Sequence, residues 1–350
     1  MELIDLLTRA KELGSSDVFI IPGSPVEAKT QGKLEPITQE RVMPADSETL
    51  IQSAYEQAGR DMKNLYEGGD DDFSFFFKGL SRFRCNAYRQ RGTLAATFRV
   101  VAFGLPDPKD IHVPDMVMNL SGLRNGMVLV TGTAGSGKST TLACLIDAIN
   151  ASRDGHIVTI EDPIEYLHSH KKSLVSQREV PNDAPSFSRA LRAALRQAPD
   201  VIMLGEMRDT ETIQTAITAA ETGHLLLSSL HTVGAAKTID RIVDSFPGEQ
   251  QQQIRVQLSM VLKAVVSQRL LPRVGGGLIP VFEVMRVTPA VQNLIRENRT
   301  HQIDNAIFAG SQQDMLSMDN ELQRLCRAGL IERATALTYA LNPDALSRRI

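Results

Sequence analysis

At 350 residues the chain exceeds one ordinary domain, so two domains, or one with a substantial appendage, are expected. Its 38 basic and 41 acidic residues leave a net charge of -3, which argues against a polyanion binder acting through overall charge and leaves only a local basic patch open. Cys85, Cys144 and Cys326 form an odd, widely spaced set without a CxxC pair, which argues against a disulfide framework or a cysteine zinc site and fits a reducing cytosol.

The opening MELIDLLTRAKELG carries charges throughout and lacks the apolar core of a signal peptide, and no apolar run approaches the length of a membrane span. No direct membrane insertion is expected, so any membrane role runs through a partner. Leu3, Leu6, Leu7 and Ala10 recur at helical spacing over 3–13; DVFII at 17–21 reads as a strand; SETLIQSAYEQAG at 47–59 reads as a helix behind a Ser47 cap. FSFFF at 73–77, RFRCNAYRQ at 82–90 and LAATFRVVAF at 94–103, separated by KGLS and RGT, predict an antiparallel sheet. A small α+β domain over 1–103 follows, then a proline-containing linker over 104–115.

From about 116 the apolar runs MVLV, HIVTI, VIMLG and LLLSS alternate with helical segments, the pattern of a parallel sheet in an α/β domain extending to 288. RLLPRVGGGLIPVFEVMRV at 269–287 predicts a hairpin around its three glycines, and a helical region fills 289–350. The fold class is therefore α/β, with a small α+β N-terminal domain.

Between MVLVT and the amphipathic LACLIDAI lie Gly132, Thr133, Ala134, Gly135, Ser136, Gly137, Lys138, Ser139 and Thr140, which match the phosphate loop G-x-x-x-x-G-K-[ST] in its strand-then-helix context. Glycines let backbone N–H groups curl around a triphosphate at a helix N-terminus, Lys138 reaches the β- and γ-phosphates, and the Ser139 hydroxyl holds Mg²⁺. ATP with Mg²⁺ is the expected ligand. Three further strand ends carry polar groups: Glu161, Asp162 and Glu165 after HIVTI; Glu206, Arg208 and Asp209 after VIML; His231 and Thr232 after LLLSSL. Hydrolysis needs one carboxylate near the metal and another to orient or deprotonate water, and this chain supplies candidates for each. His224 and His231 are an alternative metal pair, disfavoured by the strand between them.

From Phe73 to Pro106 there is no Asp or Glu, yet Lys78, Arg82, Arg84, Arg89, Arg91 and Arg99 are present. Three readings compete: a solvated face, a single-strand nucleic-acid platform using Phe83 and Tyr88, or arginine fingers for a neighbouring subunit's triphosphate. The last is favoured because Lys138 is otherwise the one strong cation available to the transition state, with Arg208 a candidate within the same chain.

In order, GTAGSGKST, TIEDPIEY, DVIMLGEMRD and TGHLLLSSLHT resemble the Walker A, Asp box, Walker B and His box of the secretion-superfamily ATPases, and SRFRCNAYRQRG, AAKTIDRIVDSFP and AVQNLIREN extend the similarity over almost the whole chain. Within that superfamily the chain is most similar to the PilT group, the hexameric type IV pilus retraction ATPases. The resemblance implies a PAS-like N-terminal domain, a RecA-like ATPase domain, and nucleotide sites completed by the adjacent subunit. It also implies Glu165 as general base, Glu206 as the Walker B carboxylate on Mg²⁺ with Ser139, Glu161 in the Asp box, and His224 with His231 as the His-box pair. Arg84 and Arg99 fall at the group's phosphate-reaching arginines. The implied setting is a cytoplasmic homohexamer, peripheral to the inner face of the membrane, that meets an inner-membrane pilus platform protein and works alone or with a paralogous retraction ATPase, with no nucleic acid expected. Gln292 in AVQNLIRE stands where the group carries an arginine, and the four-cysteine module of the assembly and type II secretion relatives has no counterpart in the sequence.

Overall fold

Residues from Phe73 onward alternate apolar and polar side chains, and this period of two builds an antiparallel sheet with one face on a core. The computed structural model describes residues 2–30, 32–101, 104–310 and 314–350. The chain divides into two compact units, Met1–Gly104 with Glu165–Leu167, and Leu105–Ile164 with His168–Ile350. The domain end expected at 103, with the last two residues of the expected strand 94–103, lies outside the described residues.

The first unit contains β1 (Asp17–Ile20), β2 (Glu27–Thr30), β3 (Lys33–Pro36), β4 (Asp70–Phe77), β5 (Ser81–Gln90) and β6 (Thr93–Val101). They form one six-stranded sheet in the order β3-β2-β1-β6-β5-β4, antiparallel throughout. Arg91 and Gly92 both adopt positive φ between β5 and β6, so the RGT signal marks a two-residue turn of the kind whose twist suits a hairpin. The β2–β3 hairpin was not expected, because EAKT and KLEP are short and polar, and β3 is exposed along its whole length. The second helix runs Pro44–Ala58, three residues earlier than expected. Pro44 occupies its first position and the Asp46 carboxylate accepts from the Met43 N–H at 2.9 Å. Ser47 is therefore not the cap; it is buried and donates to the Leu94 carbonyl of β6.

Leu3, Leu7, Leu50 and Ile51 from the helices meet Phe75, Phe83 and Phe98 from the sheet in one apolar cluster. Phe75 lies at its centre, stacked on Phe83 at 5.7 Å and edge-on to Phe77 at 5.5 Å and Phe98 at 6.0 Å.

The second unit contains β7 (Gly126–Thr131), β8 (His156–Glu161), β9 (Leu174–Glu179), β10 (Val201–Leu204), β11 (Leu225–Leu230), β12 (Leu262–Pro272) and β13 (Leu278–Arg286). Its seven-stranded sheet has the order β13-β12-β7-β11-β10-β8-β9, parallel except for the β12–β13 hairpin. Every residue of β7, β10 and β11 is buried, as a sheet covered on both faces requires. Met127 and Leu129 face the cluster built with Ile217, Ile239 and Leu258. Val128 and Val130 face Leu142, Leu145, Ile146 and Ile149 of the helix Lys138–Ser152. Two features exceed expectation. LVSQRE forms β9 at the sheet edge, and β12 begins at Leu262 and pairs parallel to β7, so the glycine hairpin is a continuation of the main sheet.

The helical region after 288 shares the core of this unit: Val291 and Ile295 of the helix Pro289–Arg296, with Ile303 and Ile307, pack in the same cluster as Met127. Thr288 caps that helix as a hydroxyl-before-proline start predicts, accepting from Val291. No helix among the described residues is long and apolar enough to cross a membrane.

Phe75→Ala should destabilise the first unit by about 3–5 kcal/mol, the usual loss on truncating a buried phenylalanine. The measurement is the denaturant midpoint for loss of far-ultraviolet dichroism, and an unchanged midpoint would remove Phe75 from its central role.

Candidate nucleotide-binding site

The parallel register brings four strand ends to one side of the second sheet. Thr131, the last residue of β7, pairs with Leu230 of β11 and with Ser267 of β12, while Leu204 of β10 pairs with Ser228 and Ile160. The chain leaves β7 into the phosphate loop, β11 into His231, β10 into Glu206 and β8 into Asp162, along the edge where open α/β sheets bind ligands.

Thr133, Ala134 and Gly135 are exposed, Ser136 and Lys138 are buried, and Ser139 and Thr140 are half-buried at the start of the helix Lys138–Ser152. Gly137, at φ 91°, stands at the N-terminus of that helix as its cap residue and offers no side chain to cap it. The Lys138 ammonium donates to the carbonyls of Gly132 at 3.0 Å and Thr133 at 2.9 Å, folding back on the loop it would leave for a phosphate. Ser136 Oγ is buried with no hydrogen-bond partner among the described residues, and a Cβ built on Gly135 would meet nothing within 4 Å. An uncapped helix start, a buried ammonium and an orphaned hydroxyl around an open glycine turn fit a bound phosphate chain.

Glu206 is buried and held from two sides. Its carboxylate receives Arg208 Nη2 at 2.5 Å on one oxygen, with His231 Nε2 at 3.2 Å from the other. The hydrogen bond from Arg208 to Glu206 holds the guanidinium pKa above its ordinary value. The bend that carries Glu206 is fastened to β11 by Ser229, whose Oγ donates to the Gly205 carbonyl at 2.6 Å and whose own carbonyl accepts from Met207 N at 3.3 Å. Glu161 is buried at the end of β8 and accepts from Thr159 Oγ1 at 2.6 Å and Gln177 Nε2 at 3.2 Å. Glu165 is exposed in the loop that follows β8. The donor set fits a Mg²⁺ ion with the nucleotide: a hydroxyl at Ser139 and a single carboxylate at Glu206 suit a cation that takes few protein ligands and completes its shell with phosphate and water. Beside this group, Arg208, His231, Thr232, Arg241 and Ser245 line a cavity of about 220 Å³.

His224 is not brought to this edge. It precedes β11, its carbonyl accepts from Gly126 N at the far end of β7, and its ring Nδ1 contacts the Ala219 carbonyl at 3.0 Å. The extended strand between separates it from His231 by roughly 20 Å, so the two histidines neither share the nucleotide edge nor converge on one metal ion.

Two contributors lay hidden in the sequence. Gln268 of β12 accepts from Thr141 Oγ1 at 2.7 Å and packs on the phosphate loop: a Cβ on Gly132 would come within 2.2 Å of its carbonyl oxygen, and one on Gly137 within 2.8 Å of its side-chain nitrogen. Ser229 anchors the Glu206 bend. The signal for Gln268 is a polar pair, Ser267 and Gln268, directly after the apolar run AVV of the strand LKAVVSQRLLP, and both are buried.

In the first unit Arg84 and Arg99 are direct cross-strand partners on β5 and β6. The acid-free run nevertheless has acids on its neighbours. Arg99 Nε donates to Asp17 of β1 at 2.9 Å, and Arg84 lies 3.7 Å from Asp72 of β4. Phe83 is fully buried in the aromatic cluster, which removes it from any stacking surface.

A phosphate loop on a parallel, doubly covered sheet, with carboxylate and histidine on neighbouring strand ends, defines a P-loop nucleotide-binding protein of the α/β class. Residues 113–329 match the model of the Type II/IV secretion system protein family, and the chain belongs to that family. It is 42% identical to the type IV pilus retraction ATPase PilT of Pseudomonas aeruginosa over 98% of this chain and 99% of that one. It is 48% identical to the twitching motility protein of Neisseria gonorrhoeae over 79% and 74% of the respective chains. The crystal structure of the pilus retraction motor PilT with bound ADP superposes with a TM-score of 0.91 at 44% identity, covering 99% of both chains.

Gly132→Ala should abolish nucleotide binding, because a methyl group 2.2 Å from the Gln268 carbonyl forces β12 or the loop to move. Titration with a fluorescent ADP analogue measures this, and parental affinity would show that the loop tolerates the shift.

Proposed function

We propose that this chain is an ATP-hydrolysing motor of type IV pilus retraction, acting as a homohexamer at the inner face of the cytoplasmic membrane through a platform protein, alone or with a paralogous retraction ATPase. The observation that carries the reading is the buried Glu206 carboxylate, bracketed by Arg208 and His231 two strands from the phosphate loop, with the His231 strand between. Similarity to retraction ATPases along the whole chain supports the choice of output.

In this reading the phosphate loop from Thr133 to Thr140 holds the triphosphate, Ser139 and Glu206 hold Mg²⁺, and Lys138 exchanges its loop carbonyls for phosphate oxygens. Bound Mg²⁺ supplies charge neutralisation on the phosphates. Glu165 takes the proton of the attacking water, Glu161 holds the edge of the site through Thr159 and Gln177, and His231 registers the state of the γ-phosphate while bonded to Glu206. Arg84 and Arg99 reach a neighbouring subunit's nucleotide. To do so they release Asp72 and Asp17. The Arg84–Asp72 pair is exposed on both sides and worth only about 0–1 kcal/mol, whereas Asp17 is buried, so Arg99 must gain more from the phosphates than it leaves behind. The phosphates offer more charge than either carboxylate.

Glu206→Gln in purified protein should bind ATP with near-parental affinity and lose most hydrolysis, and hydrolysis at the parental rate would overturn the role given to Glu206. Arg84→Ala and Arg99→Ala should each lower turnover by up to roughly 10³–10⁵-fold, as loss of an arginine finger does. Mixing Arg84→Ala with Lys138→Ala protein should restore part of the activity, since some interfaces then pair an intact loop with an intact arginine. Rings that exchange subunits without recovery would exclude action in trans.

A further inference from the structure

Ser267 of β12 and Glu283 of β13 are direct cross-strand partners, and both side chains reach the same turn. Gly234 N donates to Ser267 Oγ at 2.9 Å, and Ala235 N donates to Glu283 Oε1 at 2.9 Å. These consecutive amides begin the helix Ala235–Asp244, directly behind the loop of His231 and Thr232. The loop is closed further by Thr238, whose hydroxyl meets Thr232 Oγ1 at 2.7 Å and the Gly234 carbonyl at 2.8 Å. The backbone N–H of Met318, the first residue of the helix Met318–Arg327, lies close enough to Glu283 to favour its charged form. One carboxylate, 1% exposed, therefore holds the start of the helix leading from the nucleotide edge, with the start of a C-terminal helix near it.

We propose that Glu283 is a positioning residue for the nucleotide site: it fixes the His231 loop through the first amide of the following helix. The arrangement suits a carboxylate, because each helix start offers an N–H donor and the positive end of its dipole. Ser267 shares the loop without touching the C-terminal helix, and it lies in register with Thr131, so the strand beside the phosphate loop also anchors the His231 loop. The charged groups around Glu283 are Asp304 and Asp319, with Lys237 acting on Asp304. Burial pushes the Glu283 carboxyl up to about 7, the two aspartates add to the rise, and the Ala235 and Met318 amides oppose it. The folded chain then keeps a proton that the unfolded chain releases, so this group's contribution to stability falls as pH rises between about 4.5 and about 7.

This inference rests on the nucleotide-site reading, and its first test does not need hydrolysis. Hydrogen exchange on nucleotide-free protein should show the amide of Ala235 exchanging roughly ten- to hundred-fold faster in Glu283→Met, the loss expected for a hydrogen bond to a charged group. Glu283→Gln, which keeps an acceptor oxygen but loses the charge, should speed exchange at Ala235 less than Glu283→Met does. Ser267→Ala removes no charge, so it remains readable if the methionine variant folds poorly, and it should speed exchange at Gly234 alone. With ATP, Glu283→Gln and Ser267→Ala should lower kcat and leave KM at the parental value, and Glu283→Gln should flatten the fall in stability between about pH 4.5 and about 7. Unchanged exchange at Ala235 in Glu283→Met, or parental kcat in both Glu283→Gln and Ser267→Ala, would overturn the proposal. A parental protein without ATPase activity would remove the motor reading while the exchange result still decided whether Glu283 holds the loop.

Discussion

Burial of β7 on both faces is the constraint on which the second unit depends. A strand with Met127 and Leu129 in one apolar cluster and Val128 and Val130 in the other has no solvent face to slide toward, so its register with β11 and β12 is held by packing on both sides. That register lines up Thr131, Leu230 and Ser267. The phosphate loop, the His231 turn and the Ser267–Gln268 pair then emerge side by side without any one of them needing strong local structure.

The β12–β13 hairpin turns this alignment into support. Gln268 points at the glycines of the phosphate loop and at Thr141, while Ser267, its neighbour in sequence, serves the opposite side of the strand and the turn at Gly234. Alternation along a strand thus lets two adjacent residues brace two different loops. The absence of a Cβ at Gly132 is part of the same design, since the Gln268 carbonyl fills the space a methyl group would need.

The first unit stores its charge differently. Arg84 and Arg99 stand opposite each other on β5 and β6, an unfavourable cross-strand pair taken alone. Asp72 and Asp17 on the flanking strands relieve that repulsion while leaving both guanidinium groups near solvent.

The phosphate loop, the α/β alternation and the antiparallel strands of the first unit could be read directly from the chain, because glycine spacing and the two hydrophobic periods are local properties. Glu206 and His231 were legible for the same reason: each follows an apolar run that could only be a buried strand. Ser47 was misread because its place depended on Pro44 and on the Leu94 carbonyl across the sheet. β3 and β9 were missed because an edge strand need not carry an apolar face. His224 fits a His-box pattern, yet the length of β11 carries it to the other end of the sheet. Gln268, Ser229 and Glu283 lie in segments whose sequence announces only burial. What each buried polar group bonds to was decided by strand order, by which residue 24 to 127 positions away arrives beside it, and no local pattern encodes that.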